Sequence, residues 1–175
     1  MKRQIYLYVA GFVALLILIG YILPERLVIP VKGANRTAWN HQTFWYEPWG
    51  KSVVHKGIDI FAKKGTSVSS ATNGVVIYNR KLGIGGNVIA VLGPKWKIHF
   101  YTHLESIDVS IFDFVNPSQT IGTVGNSGNA KFRPQHVHYE VITLFPYFRR
   151  WDNSTQGWKK IFYLNPSEML LSINA

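Results

Sequence analysis

Apolar residues fall along this chain in two distinct patterns. From Ile5 to Leu23 they run on without a charged residue or a proline. Nineteen helical residues rise about 28 Å, close to the hydrocarbon thickness of a bilayer. Beyond residue 50 helical periodicity is poor, and short runs rich in β-branched and aromatic residues take over. Gly74–Tyr78, Asn87–Leu92, Trp96–Tyr101, Thr120–Val124 and Val137–Ile142 read as strands, each bounded by Gly, Asn or Pro turn signals. Strands that recur without helices between them predict an antiparallel all-β domain, a sandwich or open barrel. Asn165-Pro166-Ser167-Glu168 opens one short terminal helix with Met169–Leu171 as its body.

The first segment reads as a retained membrane anchor. A cleaved signal peptide has an apolar region of about 7–15 residues followed by a small-x-small site. This run is longer, and Tyr21-Ile22-Leu23-Pro24 offers no such site. A helix buried in a small soluble domain rarely lacks polar residues on every face. Lys2 and Arg3 precede the run while Arg26, Lys32 and Arg36 follow it, so charge bias leaves the orientation open. The chain divides into an anchor (1–26), a juxtamembrane segment rich in breakers and aromatics (27–50), and a β-domain (51–175).

Composition sets outer limits. With 175 residues, 47% hydrophobic and 14% aromatic, the chain can bury a core and is not disordered. The absence of cysteine excludes disulfides, thiol nucleophiles and Cys–zinc sites. Nineteen basic residues against nine acidic give a formal charge of +10, scattered in pairs such as Arg80-Lys81 and Lys159-Lys160. That distribution suits diffuse attraction to an anionic surface, and no run resembles a nucleic-acid motif.

The chemistry concentrates in three patches: His55 to Asp59, His103, and His136-Val137-His138. A catalytic zinc site takes three protein ligands and keeps one position for water. Two imidazoles and a carboxylate fill those positions, and two imidazoles remain for proton transfer. His136 and His138 project from one face if their segment is a strand, so one can bind metal while the other reaches water or substrate. His99, Tyr101 and His103 share a face if their strand is regular. Gly57 allows a bend that brings His55 and Asp59 together. His41 and His99 read as ordinary structural histidines.

Several ordered motifs resemble those of the LytM/lysostaphin-type zinc endopeptidases. His55-Lys56-Gly57-Ile58-Asp59-Ile60, with Gly65-Thr66 and Gly74-Val75-Val76, is similar to the family's first signature. Tyr101-x-His103-Leu104 is similar to the central motif. Ile121-Gly122-x-Val124-Gly125-x-Ser127-Gly128 followed by His136-x-His138-Tyr139-Glu140 is similar to the closing one. Pro30-Val31-x-Gly33 and Asn165-Pro166 match the domain's usual opening and exit, so the resemblance covers roughly Val28 to Leu171. It implies a LytM-like β-sandwich with Zn2+ on His55, Asp59 and His138, and catalytic, non-ligand roles for His103 and His136. It also implies cleavage of stem or cross-bridge peptides in bacterial peptidoglycan, hence a domain facing the periplasm or cell exterior from a single-pass cytoplasmic-membrane anchor.

No His-Glu-x-x-His helix supplies a glutamate base, so His136 or His103 must take the water proton, stabilise the oxyanion or protonate the leaving amine. His136 is preferred as base and His103 as electrophilic stabiliser, with exchange of the two left open. Glu140 either orients an imidazole or pairs with a nearby cation. Departures from the family pattern are Asn116-Pro117-Ser118-Gln119, Lys131–Gln135 before the paired histidines, and the aromatic, basic extension Leu144–Trp158, read as groove rim or sheet-end flap. The main alternative is a non-catalytic LytM-like adaptor that activates another wall hydrolase. A phosphocarrier with paired histidines also has a similar architecture, but the apolar segment and Asp59 disfavour it.

Overall fold

The computed structural model describes residues 2–174. Helix α1 (Lys2–Ile22) is followed by an irregular stretch that leads into strands β1 (Ile58–Phe61), β2 (Ser67–Ser69) and β3 (Gly74–Lys81). Then come β4 (Asn87–Leu92), β5 (Lys97–Leu104), β6 (Ser106–Ile107), β7 (Phe114–Val115), β8 (Thr120–Thr123), β9 (His136–Thr143), β10 (Tyr163–Leu164) and helix α2 (Pro166–Leu171).

All strand pairings are antiparallel and form two sheets. The larger has the order β1-β9-β5-β4-β3-β7, with β10 also paired to β9; the smaller is β2-β8-β6. The fold is therefore a sandwich and not a closed barrel. All five strands expected from the sequence are present, with small shifts at their ends. The five that were not legible, β1, β2, β6, β7 and β10, are two to four residues long. Runs that short carry too few alternations to register as a period.

Alternation in the large sheet separates a core face from a groove face. Val137, Tyr139 and Val141 of β9 join Ile58 and Ile60 of β1, Tyr101 of β5, and Ile89 and Val91 of β4 in one buried cluster. Val68 and Ile121 close it from the small sheet. Tyr101 and Tyr139 are fully enclosed there, and the Tyr101 hydroxyl accepts the Ala71 N–H at 2.8 Å. Tyr101 is thus a core residue that holds the turn between β2 and β3. Val31 and Trp39 also lie in this cluster, so the segment before β1 packs onto the sandwich.

β5 is not regular. Asn87 pairs with Leu104 and Ile89 with Tyr101, so β5 fits one more residue than β4 into the same interval, a β-bulge. His103 occupies it with φ 63°. His99 and Tyr101 face the core as alternation requires, but the bulge turns His103 to the opposite face. The same-face reading of these three residues fails at that point.

The Asn165 side chain caps α2 by accepting the Ser167 N–H at 3.1 Å, as its sequence signal predicts. At the other terminus α1 exposes nearly its whole apolar surface, and only Gly20 is buried.

Candidate metal centre and active-site groove

Sheet register brings the two ends of the site together. Asp59 of β1 pairs directly with His138 of β9, so both side chains rise from the groove face as neighbours. Asp59 Oδ1 stands 2.9 Å from His138 Nδ1. His55, three residues before β1, enters from the side: its Nε2 is 3.1 Å from Asp59 Oδ1 and 3.0 Å from His138 Nδ1. The backbone holds it there, since His55 N–H donates to the Tyr46 carbonyl at 3.0 Å and Nδ1–H to the Thr43 carbonyl at 3.0 Å. Trp49 stacks on the ring with centroids 4.0 Å apart. Gly57 lies in the bend that precedes β1 and also serves close approach. A Cβ there would run into the Tyr139 carbonyl and the His138 ring.

These three atoms form a cluster with the composition and spacing to hold a metal ion. With Nδ1 of His55 donating to a carbonyl, its Nε2 carries the lone pair. Three acceptor atoms at 2.9–3.1 Å repel one another unless a proton or a metal sits between them. Ligands held about 2.0–2.1 Å from a tetrahedral zinc stand about 3.3 Å apart, so the donor set fits that ion. Burial raises the Asp59 carboxyl, but the adjacent imidazoles of His138 and then His55 outweigh it and hold the group far below the usual carboxylate range. Burial lowers the His138 imidazole, yet Asp59 and then Glu140 outweigh it and raise it to about 9. Glu140 Oε2 is 3.7 Å from His138 Nε2, on the side away from the cluster. Of the two readings of Glu140, orientation of an imidazole is the one this contact favours.

His103 and His136 flank the cluster without joining it. Each ring donates Nδ1–H to a backbone carbonyl, His103 to Ser127 at 2.9 Å and His136 to Pro134 at 2.7 Å. Both therefore present a bare Nε2 to the groove. His136 Nε2 lies 3.9 Å from Asp59 Oδ1, and the two rings are 5.1 Å apart at T-shaped geometry. Burial, reinforced by repulsion from His138 and His136, pushes His103 down to about 4 and keeps it neutral near pH 7.

The groove encloses about 390 Å³, room for a few peptide residues, and its walls include Trp49, Lys56, Ile84, Asn129 and Arg133. The Lys131–Gln135 departure thus shapes one wall through Arg133. No residue of Leu144–Trp158 lines the groove itself, but Gln156 braces its wall by donating to the Ser52 carbonyl at 3.4 Å. His41 and His99 lie elsewhere, His41 against Ser167 and His99 against the Tyr139 hydroxyl at 2.6 Å. Trp49, Lys56 and Ser127 were not singled out from sequence. The crowding of aromatics from Trp39 to Trp49 was the one visible trace of the first.

Fold and site together define a metallopeptidase-type β-sandwich with a His-Asp-His centre at the floor of a groove. The family model described as Peptidase family M23 matches residues 53–149, and the chain belongs to that family. It is 29% identical over 145 residues to the L-Ala--D-Glu endopeptidase of Bacillus subtilis strain 168, covering 71% of this chain and 44% of that protein. It is 32% identical over 114 residues to the peptidoglycan DD-endopeptidase ShyA of Vibrio cholerae serotype O1, covering 65% of this chain and 26% of that one. The solved catalytic domain of the antimicrobial peptidase lysostaphin from Staphylococcus simulans superposes with a TM-score of 0.60 at 24% identity, covering 74% of this chain and 90% of the domain. The chain thus spans less than half the length of these two curated relatives.

Proposed function

We propose that this protein is a membrane-anchored zinc metalloendopeptidase that hydrolyses stem peptides or peptide cross-links of bacterial peptidoglycan. The observation that carries the reading is the convergence of His55 Nε2, Asp59 Oδ1 and His138 Nδ1 beside two further imidazoles with bare Nε2 atoms. We assign those three residues as the metal ligands. Zinc bound there supplies Lewis-acid chemistry, polarising the scissile carbonyl and lowering the pKa of an attacking water.

The protein's own contribution is proton movement and orientation. His136 is the general base, its Nε2 lying 3.9 Å from Asp59 Oδ1. The proton taken by His136 passes to the leaving amine directly or through His103, whose bare Nε2 can accept it, and His103 once protonated can stabilise the oxyanion. The Ser127 and Pro134 carbonyls fix the tautomers that make both steps possible. Lys56 and Arg133 give the groove cationic walls suited to a substrate bearing carboxylates.

Residues 5–23 form the membrane span, and the sandwich works on the outer side of the cytoplasmic membrane, where polymerised wall is found. An adaptor role gains no support from the site, in which all five imidazole and carboxylate positions are intact and in contact range. The test is to digest purified sacculi with zinc-loaded protein and identify the products by mass spectrometry. New peptide amino and carboxyl ends are expected. Stoichiometric zinc with no new ends, together with stimulation of a separate wall hydrolase, would establish the adaptor instead.

A further inference from the structure

We propose that the Pro94–Trp96 turn and the Leu144–Trp151 loop form a second membrane contact, an interfacial foot that seats the sandwich on anionic phospholipid beside its anchor. This rests on the reading of α1 as a membrane span.

The Trp96 indole N–H donates to the Ile17 carbonyl at 2.9 Å, and Gly20 packs against the same ring. Ile17 lies five residues before the end of α1, so the indole sits about 8 Å below that end along the axis. With residues 5–23 spanning some 28 Å, that level lies about 9 Å inside the edge of the hydrocarbon, within the depth to which interfacial apolar side chains are buried.

The neighbouring loop reaches the same level. Leu144 N–H donates to the Trp96 carbonyl at 3.0 Å, and the Phe145 ring meets both Tyr21 of α1, at 5.8 Å, and Trp96, at 6.3 Å. From there the loop turns outward and leaves Phe148 71% and Trp151 62% exposed. These two rings flank two arginines, Arg149 and Arg150. Apolar rings with adjoining guanidinium groups match the chemistry of an anionic lipid interface. The loop lies outside the groove lining. Lys97 and Glu25 brace the arrangement through contacts of 2.7 and 2.9 Å.

One consequence concerns the active site. Trp96 adjoins the first residue of β5 and His103 lies near its last, about 20 Å away along the strand. A seated foot therefore holds the groove at a fixed height above the lipid.

The chain has no cysteine, so single-cysteine variants of the full-length protein report one position each. Phe148→Cys, Trp151→Cys, Phe114→Cys and Val13→Cys would carry a nitroxide in nanodiscs of phosphatidylcholine with or without phosphatidylglycerol. Access of a water-soluble nickel complex is then read by electron paramagnetic resonance. Phe114 lies on edge strand β7 and is 81% exposed, which makes it the aqueous reference. The expected result in anionic discs is several-fold lower access at 148 and 151 than at 114. That protection should fall in pure phosphatidylcholine and in the R149Q/R150Q background. Protection at Val13 with 148 and 151 as open as 114 would overturn the foot and leave the span standing. An open Val13 would overturn the span and the foot with it. Equal protection in both lipid mixtures would overturn the anionic preference.

Discussion

Asp59 faces His138 across the β1–β9 ladder, and their ligand atoms lie 2.9 Å apart. One register thus sets two of the three members of the metal cluster, and Gly57 lets β1 lie close enough for the third. Gly57→Ala should push the Tyr139 carbonyl and the His138 ring away. Zinc affinity should fall about 10–100-fold, the range seen when groups supporting metal ligands are disturbed. Competition titration against a fluorescent zinc chelator measures it.

His103 reaches the groove because of a bulge and a left-handed backbone, and glycine tolerates that backbone better than alanine. His103→Gly is therefore the cleaner deletion of the imidazole. It should leave fold and zinc content unchanged and lower kcat about 10²–10⁴-fold, the usual contribution of a proton-transferring group. Circular dichroism, metal analysis and single-turnover hydrolysis separate these effects.

Much of this site was legible in the chain, and for identifiable reasons. His136-x-His138 sits on a long strand whose alternation is plain, so its facing could be read directly. The placement of His103 could not. Nothing in Tyr101-Thr102-His103-Leu104 announces an extra residue, because a bulge is defined by the partner strand. Trp49 was hidden for a different reason: its stacking on His55 depends on how an irregular loop folds back, which no periodicity encodes. The short strands β2 and β6 of the small sheet escaped because two or three residues make no pattern.

Buried His99 makes stability fall in acid. Burial first, then repulsion from Lys97, pushes its imidazole down to about 3 from 6.5. A basic group with a depressed folded pKa binds its proton more readily when unfolded. Its stabilising contribution is therefore complete above pH 6.5 and declines as the pH falls toward 3. The loss is about 1.4 kcal/mol per pH unit within that window, or about 2 kcal/mol between pH 6.5 and 5. His99→Gln should flatten this part of the profile, as judged by urea unfolding at a series of pH values with zinc held constant.

Glu25 and Lys97 form a nearly enclosed ion pair between the segment after α1 and the first residue of β5. Removing Glu25 strands a buried ammonium, which costs about 3–5 kcal/mol when no solvent replaces the partner. Glu25→Ala should lower the unfolding free energy toward that range, and adding Lys97→Met should restore most of it. The same contact predicts that a soluble domain starting at residue 24 is more stable than one starting at residue 27. Thermal unfolding of the two truncations makes the comparison.

The central claim is tested most directly by the zinc content of two purified variants, His138→Ala and His136→Ala, measured by mass spectrometry beside their activity on sacculi. The account predicts that His138→Ala is metal-free and inactive, while His136→Ala keeps one zinc per chain and is still inactive. Equal zinc retention in both variants, or equal loss, would contradict it.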